Sequence, residues 1–385
     1  MSGDRFLREF YGQRYVHLPG NEARFADLFP WPSINSILRS HRLEHPRLRM
    51  ILNGTVVPFE DYIELFQNRR KTTIPKLRMA SFNSFLRKGA TLVLDDVHEL
   101  HPPISDLAYS LERVLREEVA VNAYVGRGVA RGFDVHWDPH EVFAVQVSGS
   151  KKWHVYPTSR RWPLYKDVDP NTEPPDVEPT VVNLTAGDVL YLPRGWWHGT
   201  VPTGEPSLHL TFGVTPATGI DLLAWLVDEM RHREEFREDL PRFRPVELES
   251  HVAKLLRVFA DQTGRSTVER FFTHRDTFAL ARVPSAMPGI YNSQALPDGE
   301  DFDIDFCYPR AVLRVGADAV ELFADGRRWT FALTAAPLLE QLTGHSRISM
   351  RELITRHADR LPAKTIRGLV SLLTVEGLVT IQVRP

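Results

Sequence analysis

Between Val119 and Thr215 short apolar-alternating runs are broken by Gly, Pro and Asp, which predicts strands at 119–125, 133–137, 142–147, 152–157, 180–184, 189–192, 197–201 and 207–214. Eight strands suffice for a double-stranded β-helix barrel of the jelly-roll type. On the last of them the alternation turns Ser207, His209, Thr211 and Gly213 toward one interior. The period differs on either side. Residues 1–118 read as helices with short strands that pack outside the barrel, and from Ser105 to Glu118 apolar positions recur at helical spacing. Residues 218–275 are helical and charged, with Leu222-Leu-Ala-Trp-Leu-Val followed by Arg231-His-Arg-Glu-Glu. From Ile304 onward strands are predicted around 310–315, 319–323 and 328–331, helices around 335–343, 349–357 and 363–375, and a last strand at 378–383. The expectation is an α+β chain in four parts: 1–118, 119–215, 216–300 and 301–385.

The chemistry-bearing text lies within the strand-rich part. In Asp134-Val-His136-Trp-Asp138-Pro-His140 an extended backbone projects His136 and Asp138 from one face and Trp137 from the other. A third candidate, His198, closes Gly187-Asp-Val-Leu-Tyr-Leu-Pro-Arg-Gly-Trp-Trp, which reads as a strand, a turn and a second strand beginning near Trp197. Two imidazoles and one carboxylate on one side of an iron(II) leave the opposite positions open to oxygen ligands. Zinc favours a closed set of four or a sulfur-rich site, and this chain has one cysteine, Cys307. On the triplet alone, ordinary hydrogen-bonded histidines remain the competing reading.

The text around these residues resembles the JmjC family of 2-oxoglutarate-dependent oxygenases, in particular the cupin-like ribosomal oxygenases. His136-Trp-Asp-Pro-His-Glu-Val-Phe-Ala-Val-Gln146-Val-Ser-Gly149-Ser-Lys151-Lys-Trp153 is similar to that family's iron strand, next strand, glycine turn and basic strand. Asn122-Ala-Tyr124-Val, Gly187-Asp188-Val-Leu-Tyr-Leu-Pro193 and Gly195-Trp-Trp-His198 are similar to its flanking motifs, and the likeness spans residues 3–214. Trp137 departs from it, standing where the family more usually has tyrosine. The resemblance implies iron(II) on His136, Asp138 and His198, with 2-oxoglutarate held by Lys151 and its pocket lined by Tyr124, Asn122 and Thr211. O2 would be the second cosubstrate. On spacing alone Tyr124 fits core packing equally well, and any ligand role for His209 is a weak inference. His140 and His154 are expected to be structural or solvent-facing. The acidic, proline-rich stretch 162–179 is read as a surface loop or as a flap over the substrate entrance.

The resemblance also implies that residues 216–300 dimerise, although the apolar stripe there fits packing on the barrel as well, and that residues 301–385 form a winged-helix-like domain. Composition limits what that last domain does. It holds eleven Lys or Arg against ten Asp or Glu, which favours an assembly or substrate-positioning role with DNA binding a minority reading, and for the whole 385-residue chain, at a formal charge of −2, a nucleic-acid partner is not expected. No apolar run is long enough to span a bilayer, and the first residues lack signal-peptide regions. With a single cysteine this suggests a cytoplasmic protein. The implied substrate is an arginyl or histidyl side chain in a protein, with a ribosomal protein favoured. A natural-product precursor peptide, N-methyl-lysine demethylation and a catalytically silent cupin scaffold are the alternatives.

Overall fold

Strand alternation closes a barrel in the first of two compact units, which comprises residues 1–111 and 118–216. The structure, a computed structural model of the chain, describes residues 1–128, 133–167, 173–282, 296–344 and 347–383. In chain order the strands of this unit are β1 (Val16–Leu18), β2 (Leu48–Leu52), β3 (Thr55–Val56), β4 (Ile63–Gln67), β5 (Thr73–Leu77), β6 (Thr91–Leu94), β7 (Glu118–Gly126), β8 (Glu141–Ser148), β9 (Ser150–Tyr156), β10 (Thr180–Thr185), β11 (Val189–Leu192), β12 (Trp197–Pro202) and β13 (Ser207–Thr215). Its helices include α1 (Gly3–Glu9), α2 (Trp31–Ser40) and α3 (Met79–Arg87), and it takes in α4 (Pro102–Leu115) as far as residue 111.

One wall of the barrel belongs to an eight-stranded sheet ordered β1-β11-β8-β13-β7-β6-β2-β3, and the other is the three-stranded sheet β10-β9-β12. Along β13 the two faces separate cleanly. Leu208, Leu210, Phe212 and Val214 are fully buried outside the barrel wall, while His209 and Thr211 turn inward. Both faces of this sheet are therefore covered, one by apolar packing and one by the second wall of the barrel.

The expected strand 133–137 is not formed as such. Only His136 pairs, in an isolated antiparallel bridge with His198, and it stands as the stub of a fourth strand beside β12. The chain leaves the ladder at once because the Asp138 carbonyl accepts from Gly195 N–H at 3.0 Å and Pro139 has no N–H to continue it. Residues 129–132 and 168–172 lie outside the described residues, so Pro170 and part of the 162–179 loop do too. The hairpin of β4 and β5, a two-stranded sheet joined to no other, had no counterpart in the sequence pattern.

The Gly187-Asp188 motif proves to be a structural tie. Asp188 accepts hydrogen bonds from Gly20 N–H at 2.8 Å and Thr185 N–H at 3.0 Å, and His17 Nε2 lies 3.2 Å from it. Those bonds and burial pull in opposite directions on its carboxyl, and the bonds prevail, so its pKa falls below the ordinary value. Gly187 has φ +95°, and a Cβ there would stand 1.9 Å from the Asn21 carbonyl oxygen.

The second unit, residues 112–117 with 217–385, opens with α5 (Gly219–Met230), α6 (Pro245–Asp261) and α7 (Arg265–Thr277). Thr218 and Asp221 form a capping box at the start of α5, each satisfying the other's main-chain N–H. There follow β14 (Phe302–Phe306), β15 (Val312–Val315), β16 (Ala319–Ala324), β17 (Arg327–Ala332), α8 (Ala336–Gly344), β18 (Ile348–Ser349), α9 (Met350–His357), α10 (Ala363–Val375) and β19 (Val379–Val383). Two three-stranded sheets, β18-β14-β19 and β15-β16-β17, share a core with the three helices through Phe302, Leu338, Met350, Leu353, Ile366 and Val370. Among the described residues no helix is long and apolar enough to cross a membrane.

Gly187→Ala is expected to lower stability by about 2 kcal/mol or more, from left-handed backbone strain and the displaced Asn21 carbonyl. Chemical denaturation reads this directly, and an unchanged midpoint would show that the turn does not constrain the barrel.

Candidate metal centre and its cavity

The bridge between His136 and His198 sets the site's geometry. Their main chains exchange two hydrogen bonds, His136 N–H to His198 O at 3.0 Å and His198 N–H to His136 O at 2.7 Å. The two rings consequently stand side by side, 4.5 Å apart between centroids. Each ring donates from Nδ1 to the carbonyl two residues upstream, His136 to Asp134 at 2.8 Å and His198 to Trp196 at 3.1 Å. That leaves Nε2 of both rings as the free lone pair. Asp138 completes the group, with one carboxylate oxygen 3.9 Å from His136 Nε2 and the other 3.5 Å from His198 Nε2. One ligand atom from each of the three lies within 4.8 Å of the other two. The set can hold one metal ion.

Burial pushes the Asp138 carboxyl up, but His198, His140 and His136 around it outweigh that effect and keep it ionised. Burial also holds the His198 imidazole down at about 4, so it is neutral at physiological pH, as a ligand must be.

The three residues open into a cavity of about 350 Å³. Lys151, on β9, is only 5% exposed, and its ammonium donates to His209 Nδ1 at 3.2 Å. Burial lowers its pKa to about 8. His209 is fixed from both sides: it stacks on Tyr124, with 4.7 Å between centroids and planes 6° apart, and Trp153 meets its edge. Burial, with Lys151 next, keeps His209 neutral. Tyr124 is half-buried and its phenol is raised well above its ordinary value, first by desolvation and then by Asp138, so it remains a donor.

In register, Tyr124 pairs with His209 and Asn122 with Thr211, which places all four on the cavity wall. Asn122 Oδ1 also accepts from Asp96 N–H at 3.0 Å, so its amide orientation is set by the turn after β6. His154 lies on the strand face opposite Lys151 and is absent from the lining.

Two features were not legible in the sequence. His140, expected to be structural or solvent-facing, lines the cavity. Its ring lies against β13, where a Cβ on Gly213 would come within 3.0 Å of it, so the missing side chain is what admits the imidazole. Arg49 enters from β2, outside the eight barrel strands, in a bidentate pair with Asp95 at 2.9 and 2.8 Å. The signal for His140 was its place two residues beyond Asp138. For Arg49 there was none.

Residues 99–222 match the JmjC domain. The chain carries a JmjC domain. It is 27% identical over 248 residues to a bifunctional lysine-specific demethylase and histidyl-hydroxylase of Dictyostelium discoideum, covering 62% of this chain and 46% of that protein. It is 28% identical over 258 residues to ribosomal oxygenase 1 of Bos taurus, covering 63% and 37%. The chain thus spans less than half the length of the curated relatives it matches. Its fold is similar to that of YcfD, a ribosomal oxygenase from Escherichia coli solved with cobalt and 2-oxoglutarate. The TM-score is 0.59 at 17% identity, over 99% of this chain and 98% of that one. The metal-ligand candidates of this JmjC domain, and the cavity beside them, fall inside the matched residues or the strands that flank them.

Because Lys151 titrates near 8 when folded and 10.5 when free, the folded state binds fewer protons between those values, and stability contributed by this site rises with pH there. Relative to Lys151→Met, the wild type should gain on the order of 3 kcal/mol between pH 8 and pH 10.5. Paired denaturation curves at the two pH values measure this, and a constant difference would place the amine in water.

Proposed function

We propose that the chain is an iron(II)- and 2-oxoglutarate-dependent oxygenase that hydroxylates an arginyl or histidyl side chain in a protein, with a ribosomal protein as favoured substrate. The observation that carries this reading is the convergence of His136 Nε2, His198 Nε2 and Asp138 at one end of a cavity in which Lys151 is buried with no carboxylate partner among the described residues. The donor set suits iron(II): two imidazoles whose Nδ1 atoms are engaged by main-chain carbonyls, one ionised carboxylate and no thiolate. When bound, the metal with 2-oxoglutarate and O2 supplies the oxidising power that places an oxygen atom on an unactivated C–H bond.

The chain's own residues bind and orient. Lys151 is assigned the far carboxylate of 2-oxoglutarate, because its ammonium is the cavity's one cation that lacks an acidic partner among the described residues. Arg49 is excluded from that role by its bidentate bond to Asp95. Tyr124 donates a second hydrogen bond from its un-ionised phenol, and Asn122 and Thr211 line the same wall. His140 is assigned to the approaching substrate, since it shares the barrel mouth with Ala120, Gly213 and Thr215. Support from the relatives is of two kinds: their names couple this domain to histidyl hydroxylation and to ribosomal oxygenases, and the similar E. coli structure holds 2-oxoglutarate.

Residues 216–300 are read as a dimerisation region. Ile220, Leu223 and Val227 on α5 and Val246, Val252 and Leu256 on α6 expose apolar side chains. A monomer in sedimentation at micromolar concentration would remove that assignment. The winged-helix-like reading of residues 301–385 goes with assembly or substrate positioning rather than duplex DNA, and tight salt-dependent duplex binding by the full chain would reverse it. A cytoplasmic location is proposed with these.

Anaerobically purified protein given iron(II), 2-oxoglutarate and O2 should form succinate, faster with a ribosomal extract, and leave one peptide a single oxygen atom heavier. His136→Ala and Asp138→Ala should abolish this turnover while leaving circular dichroism unchanged, and full activity in either would defeat the metal assignment. Lys151→Ala should raise the apparent requirement for 2-oxoglutarate about ten- to a hundredfold. An unchanged requirement would take the residue out of the pocket.

A further inference from the structure

Positive charge is strongly segregated in the first unit. Residues 62–90 contain seven Lys or Arg (Arg69, Arg70, Lys71, Lys76, Arg78, Arg87 and Lys88) against one acidic residue, Glu64, in a chain whose formal charge is −2. Arg69, Arg70 and Lys71 form the exposed tip of the β4–β5 hairpin, which Asn68 Oδ1 shapes by accepting from Arg70 N–H and Thr72 N–H. Arg87 and Lys88 end α3 and line a groove of about 580 Å³ together with Arg127, Trp31 and the backbone of Gly89, Gly126 and Gly128.

Three properties of this groove point to its ligand. Its three cations are exposed and none is paired with a carboxylate among the described residues; Lys88 lies only over the Phe85 ring, at 5.4 Å. Glu205, between the lining residues Gly204 and Pro206, accepts from the Ser150 hydroxyl and lines a neighbouring pocket with Gly149 and Ser150 instead of this one. Glycines make up much of the remaining lining, so an extended backbone can lie close to it. Trp31 is 36% exposed and held in orientation by the hydrogen bond from its Nε1 to Ser148 Oγ at 3.3 Å, which leaves a ring available for stacking.

Unpaired cations beside an aromatic platform are how single strands are gripped without sequence preference. An acidic peptide suits the groove less well. The β7 backbone there is already paired on both sides, Val125 to Leu92 and to Leu208, so no strand edge is free to receive it. We propose that this groove binds the phosphodiester backbone of a single-stranded nucleic acid. The groove also adjoins the candidate metal cavity: Gly126 packs against Thr91, which lines that cavity. The inference does not rest on the oxygenase reading.

The test is a fluorescence anisotropy titration of the full chain with labelled single-stranded RNA of roughly a dozen nucleotides, and with DNA of the same sequence. Saturable binding is expected, with log affinity falling against log salt at a slope of about −2 for three phosphate contacts. Equal affinities would mean recognition of backbone and stacking alone, and an RNA preference would add the 2′-hydroxyl; both support the proposal. Arg87→Glu, Lys88→Glu and Arg127→Glu combined should weaken binding at least tenfold, and Trp31→Ala about fivefold or more. All three cations are exposed, so the fold should survive, and circular dichroism checks this. No saturable binding at 50 mM salt would overturn the proposal. So would wild-type affinity in the triple variant, a loss produced only by Arg69→Glu and Arg70→Glu, or competition by polyglutamate as effective as by unlabelled RNA.

Discussion

The site depends on a two-residue piece of β-ladder. By exchanging both main-chain hydrogen bonds, His136 and His198 become directly opposed residues of an antiparallel pair, whose side chains share a face. Each ring then binds its own chain's carbonyl two residues back, so tautomer and orientation are set by backbone and not by a neighbouring side chain. A second stitch, from Gly195 N–H to the Asp138 carbonyl, holds the segment carrying the carboxylate to the segment carrying His198. The segments that carry the three candidate ligands are thereby held together by main-chain bonds, and such bonds are insensitive to most substitutions around them.

The cavity's electrostatics follow from one unbalanced amine. Lys151 is buried, and its hydrogen-bond partner is the neutral imidazole of His209, which burial and the ammonium itself prevent from taking a proton. An imidazole lone pair satisfies the ammonium's geometry without neutralising its charge. Arg49 differs: a half-buried guanidinium already matched by Asp95 gains little from a second anion. Of the two cations on the cavity wall, only the lysine has a charge left to give. The indole of Trp153 and the ring of Tyr124 pack on its partner His209, and the ammonium is itself buried, so an incoming carboxylate would interact with it more strongly than in water.

What could be read from the residues was whatever the strand period controls. Alternation in Ser207–Val214 placed His209 and Thr211 inside and Leu208, Leu210 and Phe212 outside, and the same rule set Lys151 apart from Lys152. The rule reached the right face for His136 and Asp138 by an incomplete route, since only one residue of 133–137 pairs. His140 escaped it because its entry depends on a side chain missing from another strand, Gly213, and no local pattern reports such a pairing. Arg49 escaped because β2 lies two strands beyond β7 in the extended sheet, a non-local arrangement that periodicity does not encode. In the second unit, β15, β16 and β17 fell close to the predicted strands, while β14 was missed because its alternating Asp303 and Asp305 look like loop.

Charge was the property most obscured by averaging. A formal charge of −2 over 385 residues, like the near balance within 301–385, describes sums. Screening limits interactions between exposed charges to about 8–10 Å at physiological salt, so a ligand responds to the charges within that radius and not to the total. Arg87, Lys88 and Arg127 line one groove, and no carboxylate among the described residues is paired with them. For a chain of this size the physically meaningful quantity is the charge of each concave surface. By that measure the first unit holds two cavities of different character, one with a single buried amine beside three candidate metal ligands and one rimmed by exposed cations, with Thr91 and Gly126 in contact between them.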